Sequence, residues 1–425
     1  MKVAVIGSGI SGLSAAFLIS QKHEVTLYEA DDRLGGHAHT INVQLHDGRE
    51  FPVDTGFMVF NPLQYPHFSG LINYLGVRTV ATSMSFSVSI DQGAFEYSSN
   101  VPNGIFADKK NILRMSFYSF LQEITRFNTV ALKALEKGIE EEYTLHEFLV
   151  SHRFSKEFEE QYIIPLVGSI WSTPKKLVRT FPTKELLTFL SKHHLLAVVG
   201  HPKWETVLGG SQEYIRLLNK KLETQNVSVL TQTPVFRVVR DREKVVVSTS
   251  RGQDTYDFVV FGTHADTTLS LLHSPTKEES SILSSFRYEE NEVYVHSDTK
   301  YMPRRRKAWA SWNYLGKTGW GASTKKVCLT YYMNELQHIK TPTPILVTLN
   351  PYDVPSNQCT YAHLRYRHPL MSVDAAHARR ALEGIQNKNR TFFCGSYTGY
   401  GFHEDGIASA VHVAELLGIL PPWVA

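Results

Sequence analysis

The chain has 425 residues, a hydrophobic fraction of 42% and a charged fraction of 20%, which are ordinary values for a globular enzyme with more than one domain. Its net charge of +3 is too small to indicate a nucleic-acid-binding surface, so we predict no nucleic-acid partner. The three cysteines, Cys328, Cys359 and Cys394, form neither a CxxC pair nor a zinc-like spacing, so we predict a reducing cytoplasm, no disulfide framework and no metal site.

The opening of the chain predicts a βαβ unit. Residues 3–6 are a short apolar run, which is typical of a buried parallel strand, and residues 24–29 predict a second strand. Between them, residues 10–21 predict a helix with small side chains where it must press against the sheet. Since the first strand follows Met1 and Lys2 directly, we expect no signal peptide.

Elements of the same kind return in the second half of the chain. We predict a helix at 212–222, strands at 227–230, 235–240, 244–250, 257–263 and 391–394, and a closing helix at 406–417. Two long insertions differ from these elements, because 61–204 is rich in aromatic residues at helical spacing and 271–389 mixes strands with basic and aromatic residues. We therefore predict a first domain built from residues 1–60, 205–270 and 390–425, and a second domain built from the two insertions.

A Gly-x-Gly-x-x-Gly turn joins the first strand to the first helix, and it comprises Gly7, Ser8, Gly9, Ile10, Ser11 and Gly12. In dinucleotide-binding folds the first glycine permits the tight turn, the second lets the backbone approach a pyrophosphate, and the third lets helix and strand pack closely. The pyrophosphate then lies at the helix N-terminus, where free N–H groups and the positive end of the helix dipole favour an anion.

Glu29 ends the second strand at about the distance of 20 residues that such folds leave between the turn and the ribose-binding acid. Its carboxylate would accept hydrogen bonds from the adenosine ribose and would repel a 2′-phosphate, which argues against NADP. A glycine-rich turn that binds nothing is the alternative, and the strand, the helix and the acid together argue against it. A second glycine pair, Gly35 and Gly36, indicates another close backbone approach, which a long FAD needs and a plain NAD site does not.

At this point the chain resembles the flavin-containing amine oxidase superfamily, which includes monoamine oxidases, phytoene desaturases and protoporphyrinogen oxidases. The family carries an acid and then an Arg-x-Gly-Gly-Arg-x-x-Ser/Thr run, which here extends from Arg33 to Thr40 with His37 in place of the second arginine near the pyrophosphate. The resemblance implies FAD as cofactor, a closing helix whose N–H groups face the flavin, and a hydroxyl, Ser396, where the family has an acid. Beyond the glycine turn and Glu29, the cofactor-binding residues that it implies are Ala30, Arg33, Gly35, Gly36, His37, Thr55, Gly56, Phe57, Val235, Thr263, Gly395, Ser396, Gly406 and Ile407.

A narrower resemblance is to a bacterial branch whose members are described only as predicted NAD/FAD-binding, amine-oxidase-like proteins. It depends on the Gly-Gly-His-x-x-Thr run, on Asp-Thr-Gly-Phe at 54–57, on the basic run 302–306 with Trp309 and Trp312, and on the glycine-rich segment 399–406. These proteins are associated with enzymes that modify unsaturated fatty acyl chains, such as cyclopropane-fatty-acid-synthase-like methyltransferases. The resemblance implies an α/β fold with a Rossmann-type FAD-binding domain, glutathione-reductase-like or amine-oxidase-like, and a discontinuous α+β substrate domain.

Three functions are consistent with this resemblance. The leading one is an FAD-dependent oxidoreductase that dehydrogenates or isomerises an unsaturated or methylated fatty acyl chain by hydride transfer to flavin N5. The second is an amine oxidase that produces an imine and hydrogen peroxide, and the third is a non-catalytic flavoprotein partner of a lipid methyltransferase. The lack of a redox cysteine pair argues against dithiol chemistry.

The segment between the Gly-Ser turn at 395–396 and the closing helix is expected to line the flavin site. The predicted catalytic residues there are Tyr397, Tyr400 and His403. The tyrosines would form an aromatic wall over the ring, with packing at a domain interface as the alternative. His403 would give or accept a proton, alone or with Glu404 and Asp405. Asp405 also suits the N-cap of the closing helix, which is the interpretation we favour.

Other segments have both a functional and a structural interpretation. The basic run 304–307 would bind an anionic headgroup or acyl carrier, or is a solvated edge. Residues 111–137 show apolar side chains at helical spacing beside basic ones, as in a helix that lies in a membrane surface, although an amphipathic helix packed on the second domain is the simpler interpretation.

Since no run of about eighteen apolar residues is present, we expect a cytoplasmic protein, with peripheral membrane contact as an open alternative. Candidates for the substrate side are Trp171, Trp309, Trp312, Tyr331, Tyr332 and Asn334.

Overall fold

The computed structural model describes residues 1–100, 102–197, 202–317 and 327–424. Its strands are β1 (Lys2–Ile6), β2 (Glu24–Tyr28), β3 (Thr40–Gln44), β4 (Glu50–Asp54), β5 (Thr79–Thr82), β6 (Phe86–Ile90), β7 (Phe95–Ser98), β8 (Trp204–Val207), β9 (Ser228–Leu230), β10 (Val235–Arg240), β11 (Val245–Thr249), β12 (Gly252–Tyr256), β13 (Phe258–Phe261), β14 (Tyr288–His296), β15 (Trp312–Gly316), β16 (Cys328–Tyr332), β17 (Leu346–Leu349), β18 (Thr360–Pro369) and β19 (Thr391–Phe393). Its α-helices are α1 (Ile10–Ile19), α2 (Pro66–Leu75), α3 (Met115–Lys137), α4 (Leu145–Ser151), α5 (Lys156–Phe158), α6 (Ile164–Trp171), α7 (Lys175–Arg179), α8 (Thr183–Lys192), α9 (Gln212–Thr224), α10 (Ala265–Leu271), α11 (Lys277–Ser284), α12 (Met333–Leu336), α13 (Val373–Ala381) and α14 (His403–Leu416).

A parallel sheet with the strand order β19-β13-β1-β2-β9 forms the centre of the first domain. Strand β1 pairs with β13 on one side and with β2 on the other. It forms because its apolar run is covered on both faces, which leaves Val3, Ala4 and Val5 fully buried. Since all of its strands run parallel, their carboxyl ends meet at one edge, which is where ligands bind in open α/β sheets.

Layers of secondary structure cover both faces of this sheet. On one face α1, α9 and α14 share a core that includes Phe17, Tyr214 and Val411. On the other face the antiparallel sheet β10-β11-β12 and helices α10 and α11 pack around Val247 and Phe261. This is the α/β architecture that the sequence predicts, and it fixes the carboxyl edge of the parallel sheet between two buried layers.

A mixed sheet with the order β18-β14-β17-β16-β15-β6-β7 forms the second unit. Its strands come from the two insertions, and β6 joins β15 in parallel register, so distant segments of the chain close one sheet. The strands of the parallel sheet come from 1–60, 205–270 and 390–425, as the predicted domains require. Helix α2 belongs to the first insertion by sequence, yet its Phe68 and Leu71 pack into the core beneath the parallel sheet. The domain boundaries therefore stay a prediction.

Helices α3 to α8 form a layer around aromatic side chains such as Phe127, Phe158 and Trp171. The predicted helix at 111–137 divides into a 3-10 turn, Lys109–Leu113, and α3, which begins at Met115. Within the described ranges, no helix is both long enough and apolar enough to cross a membrane.

The closing helix α14 differs from its prediction at the N-terminus. It begins at His403 and not at Gly406, so the prediction of Asp405 as the N-cap is wrong. Asp405 lies in the first turn, where its carboxylate accepts hydrogen bonds from the backbone N–H groups of Tyr400 and Phe402 at 3.0 and 2.8 Å. The acid thus stabilises the helix start from inside the helix, which lets the first turn extend three residues further back.

Candidate functional site

The glycine turn between β1 and α1 contains one glycine that folding alone does not explain. A Cβ built on Gly12 would lie 1.8 Å from the carbonyl oxygen of Gly7, and a Cβ on Gly7 would lie 2.9 Å from the Thr263 side chain. These two glycines are required because the strand and helix approach each other so closely. A Cβ on Gly9, in contrast, would meet no atom within 4 Å. The space beside Gly9 is open and lies at the N-terminus of α1, which fits a bound pyrophosphate.

Glu29 follows β2 and faces this turn. Its carboxylate accepts hydrogen bonds from the backbone N–H of Ser8 at 2.8 Å and from that of Asp31 at 2.9 Å. The Ser8 hydroxyl donates to the same carboxylate at 2.5 Å. Since a carboxylate has about four acceptor positions, one remains for a ribose hydroxyl. The Glu29 carbonyl accepts a hydrogen bond from the Thr233 N–H at 2.8 Å, which holds the loop before β10. This contact places Val235 at the same end of the site as Glu29. Ala30, the next residue after Glu29, is exposed.

The second glycine pair, Gly35 and Gly36, packs directly against the glycine turn at 7–12. Gly35 donates its N–H to the Ser8 carbonyl at 2.9 Å, and a Cβ built on Gly36 would lie 3.0 Å from the Cα of Gly9. The Arg33 guanidinium donates to the Gly36 carbonyl at 2.9 Å and so orders this loop. The glycine turn at 7–12 and the pair Gly35 and Gly36 therefore form one continuous backbone surface.

The turn after β4, residues 55–57, packs against this backbone surface. Gly56 is required there because a Cβ would lie 2.1 Å from the carbonyl oxygen of His37, to which Phe57 donates its N–H at 3.0 Å. The Thr55 hydroxyl and the Tyr366 hydroxyl are hydrogen bonded at 2.6 Å. These contacts tie 55–57 to the second glycine pair.

Asp54, directly before this turn, connects three distant segments. Its carboxylate accepts from the Thr40 hydroxyl at 2.6 Å, from the Ser211 N–H at 2.9 Å and from the Gln337 amide at 2.8 Å. Burial raises the pKa of Asp54 to about 6, against the effect of these hydrogen bonds. Asp54 thus positions the turn and does not face the open space itself.

The C-terminal segment completes the site. A Cβ built on Gly406 would lie 2.7 Å from the Ile10 side chain and 2.9 Å from the Ser11 hydroxyl, so the first turns of α1 and α14 touch, with the Ser396 N–H beside them. Ile407 is fully buried in the core that both helices share. Gly395 donates its N–H to the Ser409 hydroxyl of α14 at 2.9 Å. Two positive helix ends therefore meet at one point, which favours a ligand that carries negative charge.

This arrangement defines a dinucleotide-binding protein: a parallel sheet, two helix N-termini at its carboxyl edge, and an acid after the second strand. The chain belongs to the family of flavin containing amine oxidoreductases, which matches residues 10–286. The predictions of an FAD-dependent oxidoreductase and of FAD as its cofactor are thereby confirmed. The residues present fit that group, since the open space beside Gly9 lies where the pyrophosphate is expected and Glu29 where the ribose is expected.

Individual proteins of known function or structure are also similar to this chain, over part of its length in sequence and over nearly all of it in fold. The chain is 42% identical to tryptophan 2-monooxygenase from Pantoea agglomerans pv. gypsophilae over 90 residues, 20% of this chain and 15% of that enzyme. It is 22% identical to L-amino-acid oxidase from Naja atra over 271 residues, 59% of this chain and 51% of that enzyme. The chain thus spans about half or less of the length of these two relatives. Its fold is similar to that of a solved CLA-producing fatty acid isomerase from P. acnes, with a TM-score of 0.66, 16% identity, and coverage of 98% of this chain and 97% of that one.

His403 lies at the start of α14 in an aromatic cluster. Its ring stacks on Phe57 with 3.8 Å between centroids, and Phe68 contacts it edge-on at 5.1 Å. Its Nε2 and the Tyr214 hydroxyl are hydrogen bonded at 2.7 Å. Burial, and after it the charge of His37, lowers the pKa of His403 to about 3, so the imidazole is neutral at physiological pH.

The two predicted tyrosines lie apart from His403. Tyr397 is buried against Phe286, with 4.8 Å between ring centroids, and among the described residues its hydroxyl has no hydrogen-bond partner. Tyr400 packs on Phe189 at 5.4 Å in the helical layer. Their catalytic role stays a prediction, and their surroundings correspond to the packing alternative.

The acids next to His403 bind backbone groups. Glu404 accepts hydrogen bonds from the N–H groups of His67 and Phe68, both at 2.9 Å, and so caps α2 from a distance. Burial raises the pKa of Glu404 to about 7. Since Asp405 holds the start of α14, neither acid forms an acid/base pair with His403, and sequence reasoning had no signal for the contact between Glu404 and α2.

A group of imidazoles surrounds His37, where the family has an arginine. The rings of His264 and His368 lie 5.6 and 5.7 Å from that of His37, and Tyr366 lies at 5.1 Å. The His37 Nε2–H donates to the Arg367 carbonyl at 3.2 Å. Burial lowers the pKa of both His264 and His368 to about 3, so neutral rings occupy this region. His368 comes from β18, and no local sequence signal connects it to His37.

The residues predicted to line the substrate side mainly make structural contacts. The Asn334 amide donates to the carbonyl oxygens of Thr341 and Thr343 at 3.2 and 3.0 Å and so holds a loop. Trp312 and Tyr331 contact each other at 5.0 Å, and Trp309 and Tyr332 at 5.4 Å. In the described parts of the chain, no group of three or more His, Cys, Asp and Glu side chains is arranged to hold a metal ion.

Proposed function

We propose that the protein oxidises or isomerises a hydrophobic substrate, an unsaturated or methylated fatty acyl chain. The observation that carries this proposal is the uncharged aromatic surface formed by the stacked rings of Phe57 and neutral His403 at the start of α14, with buried Phe68 packed behind them. Such a surface binds hydrocarbon because burial of apolar area is favourable. The fold likeness to a fatty acid isomerase supports the same substrate class.

A charged amine is a poorer fit to this surface. An ammonium group would lose its hydration there and would need a carboxylate partner. The acids nearest in sequence, Glu404 and Asp405, are occupied by backbone N–H groups of α2 and α14. The alternative of an amine oxidase rests on the likeness to L-amino-acid oxidase and is the weaker proposal.

His403 is the group that we propose to handle the proton. Bound FAD supplies the acceptor for a hydride. Dehydrogenation also releases a proton from the neighbouring carbon. The neutral imidazole, held in place by the Tyr214 hydroxyl at 2.7 Å, would relay this proton onward and not keep it, because burial lowers its pKa to about 3. In isomerisation the hydride and proton return to the chain, so no oxidant is consumed.

The substrate test compares two compounds under anaerobic conditions. We expect an unsaturated fatty acid either to bleach the flavin or to be returned with a shifted double bond, while a small primary amine leaves both flavin and amine unchanged. Bleaching by the amine would favour the amine oxidase. No change with either compound would favour the third function, a flavoprotein partner of a lipid methyltransferase.

His403→Gln is expected to slow conversion of the fatty acid by about 100-fold or more, the usual contribution of a positioned acid/base group. Flavin content should stay at the level of the unmodified protein, which absorbance measures. The matched control is His412→Gln on the same helix, because His412 is exposed and pairs with Glu383 at 2.8 Å. Equal rates for both variants would remove His403 from the mechanism.

A further inference from the structure

One corner of the second unit combines exposed apolar side chains with basic ones. It consists of the 3-10 turn Lys109–Leu113, the first turn of α3 and the neighbouring loop 303–307, which together we call the basic-apolar corner. Leu113 is 88% exposed, Met115 79% and Ile112 48%. Apolar side chains of this size rarely group on a free surface unless they bind something.

The charges of the corner have a single sign. Its exposed basic residues are Lys109, Lys110, Arg114, Arg304, Arg306 and Lys307. The only acid in 102–122 is Asp108, and 301–317 contains none. Asp108 is buried, and its carboxylate accepts from the Lys110 N–H and pairs with Arg305, both at 3.1 Å. No acid in these two segments therefore offsets the exposed cations.

The corner is tied to the core by packing, a hydrogen bond and ion pairs, so its apolar side chains do not belong to a loose chain end. Phe117 and Phe120, one turn along α3, are buried and anchor the helix on its inner side. The Tyr118 hydroxyl donates to the Ile112 carbonyl at 3.0 Å. Arg305 joins the loop to the turn, because its guanidinium pairs with buried Glu96 at 2.9 Å as well as with Asp108. The apolar and basic side chains are therefore presented together.

We propose that the basic-apolar corner docks the protein on the surface of an anionic lipid bilayer. Leu113 and Met115 would enter the apolar boundary while the cations around them meet lipid phosphates. A nucleic acid would match the charge, but it offers nothing to the exposed leucine and methionine. The proposal goes beyond the substrate proposed above and does not depend on it, so its test needs no turnover.

The test measures partitioning of the flavin-loaded protein onto vesicles by sedimentation. We expect binding to an equal mixture of phosphatidylglycerol and phosphatidylcholine at least tenfold tighter than to phosphatidylcholine alone, since each cation near the surface adds attraction to anionic lipid. The double variant Leu113→Gln/Met115→Gln should bind the mixed vesicles about tenfold more weakly or worse, because the buried apolar area is lost. The matched control is Val150→Gln/Leu420→Gln, at apolar side chains that are 60% and 70% exposed elsewhere.

The outcomes separate the sources of binding. Equal binding to both kinds of vesicle, or equal loss in the test and control variants, would overturn the proposal. So would binding of duplex DNA by a protein that ignores the mixed vesicles. Because all four substituted side chains are exposed, unchanged flavin absorbance will show that each variant is folded.

Discussion

The Gly9→Val variant is expected to fold normally and to purify without flavin. Gly9 has φ −65° and ψ 177°, an extended conformation that valine adopts readily. The added Cβ is not in contact with the rest of the protein, because it has nothing within 4 Å. It would instead fill the space beside the N-terminus of α1 where the pyrophosphate is expected. Absorbance of the purified protein measures the flavin, and thermal unfolding measures the fold.

Two other glycines make this experiment selective. Gly384→Val is the matched control, since a Cβ there also meets nothing within 4 Å, and the variant should keep its flavin. Gly12→Val should fail to fold, because its Cβ would lie 1.8 Å from the Gly7 carbonyl. If Gly9→Val retained flavin at the level of the control, the pyrophosphate could not lie where we place it.

The parts of the site that could be predicted from the sequence depend on local backbone geometry. The turn at 7–12, the acid Glu29 and the pair Gly35 and Gly36 all lie within the first 36 residues, at a spacing that the βαβ dinucleotide motif requires. Strand β10 was predicted with its observed bounds because three valines and a phenylalanine within 235–240 favour a strand without help from neighbours. Contacts of this kind leave a pattern in the sequence.

The parts that could not be predicted depend on contacts between distant segments. His264 and His368 meet His37 only because β13 and β18 end beside the second glycine pair. Glu404 caps α2 across 336 residues, and that contact decides that the acid does not assist His403. Tyr397 lies in the expected segment, but the turn directs its ring into the core. Side-chain direction after a tight turn is set by packing, which the local sequence does not encode.

The free energy of unfolding is expected to fall steeply as the pH drops from about 7 to about 5. Burial lowers the pKa of six imidazoles to about 3 or 4, and these are His39, His193, His264, His296, His368 and His403. Each is neutral in the folded protein but takes up a proton near pH 6.5 when the chain unfolds. The stability that they contribute is therefore complete above about pH 6.5 and is lost as the pH falls toward 4.

Three buried carboxyls act in the opposite sense. Burial raises the pKa of Glu404 to about 7 and that of Asp54 and Asp405 to about 6. In the folded protein these carboxyls take up protons at a higher pH than they do in the unfolded chain. Lowering the pH from 7 to 6 therefore neutralises them in the folded state and raises the free energy of unfolding. The six imidazoles outnumber the three carboxyls, so unfolding near pH 5 takes up protons and the free energy of unfolding falls as the pH drops.

Urea unfolding at a series of pH values measures this pH dependence directly. His296→Asn should reduce the proton uptake by about one, because His296 is fully buried and its imidazole is hydrogen bonded to the Thr348 hydroxyl at 2.7 Å. The matched control is the same change at partly exposed His412, on the surface of α14. A stability that stays constant between pH 7 and 5 would mean that these imidazoles reach solvent in the folded protein. The aromatic surface around His403 would then be hydrated, and the argument for a hydrocarbon substrate would lose its main support.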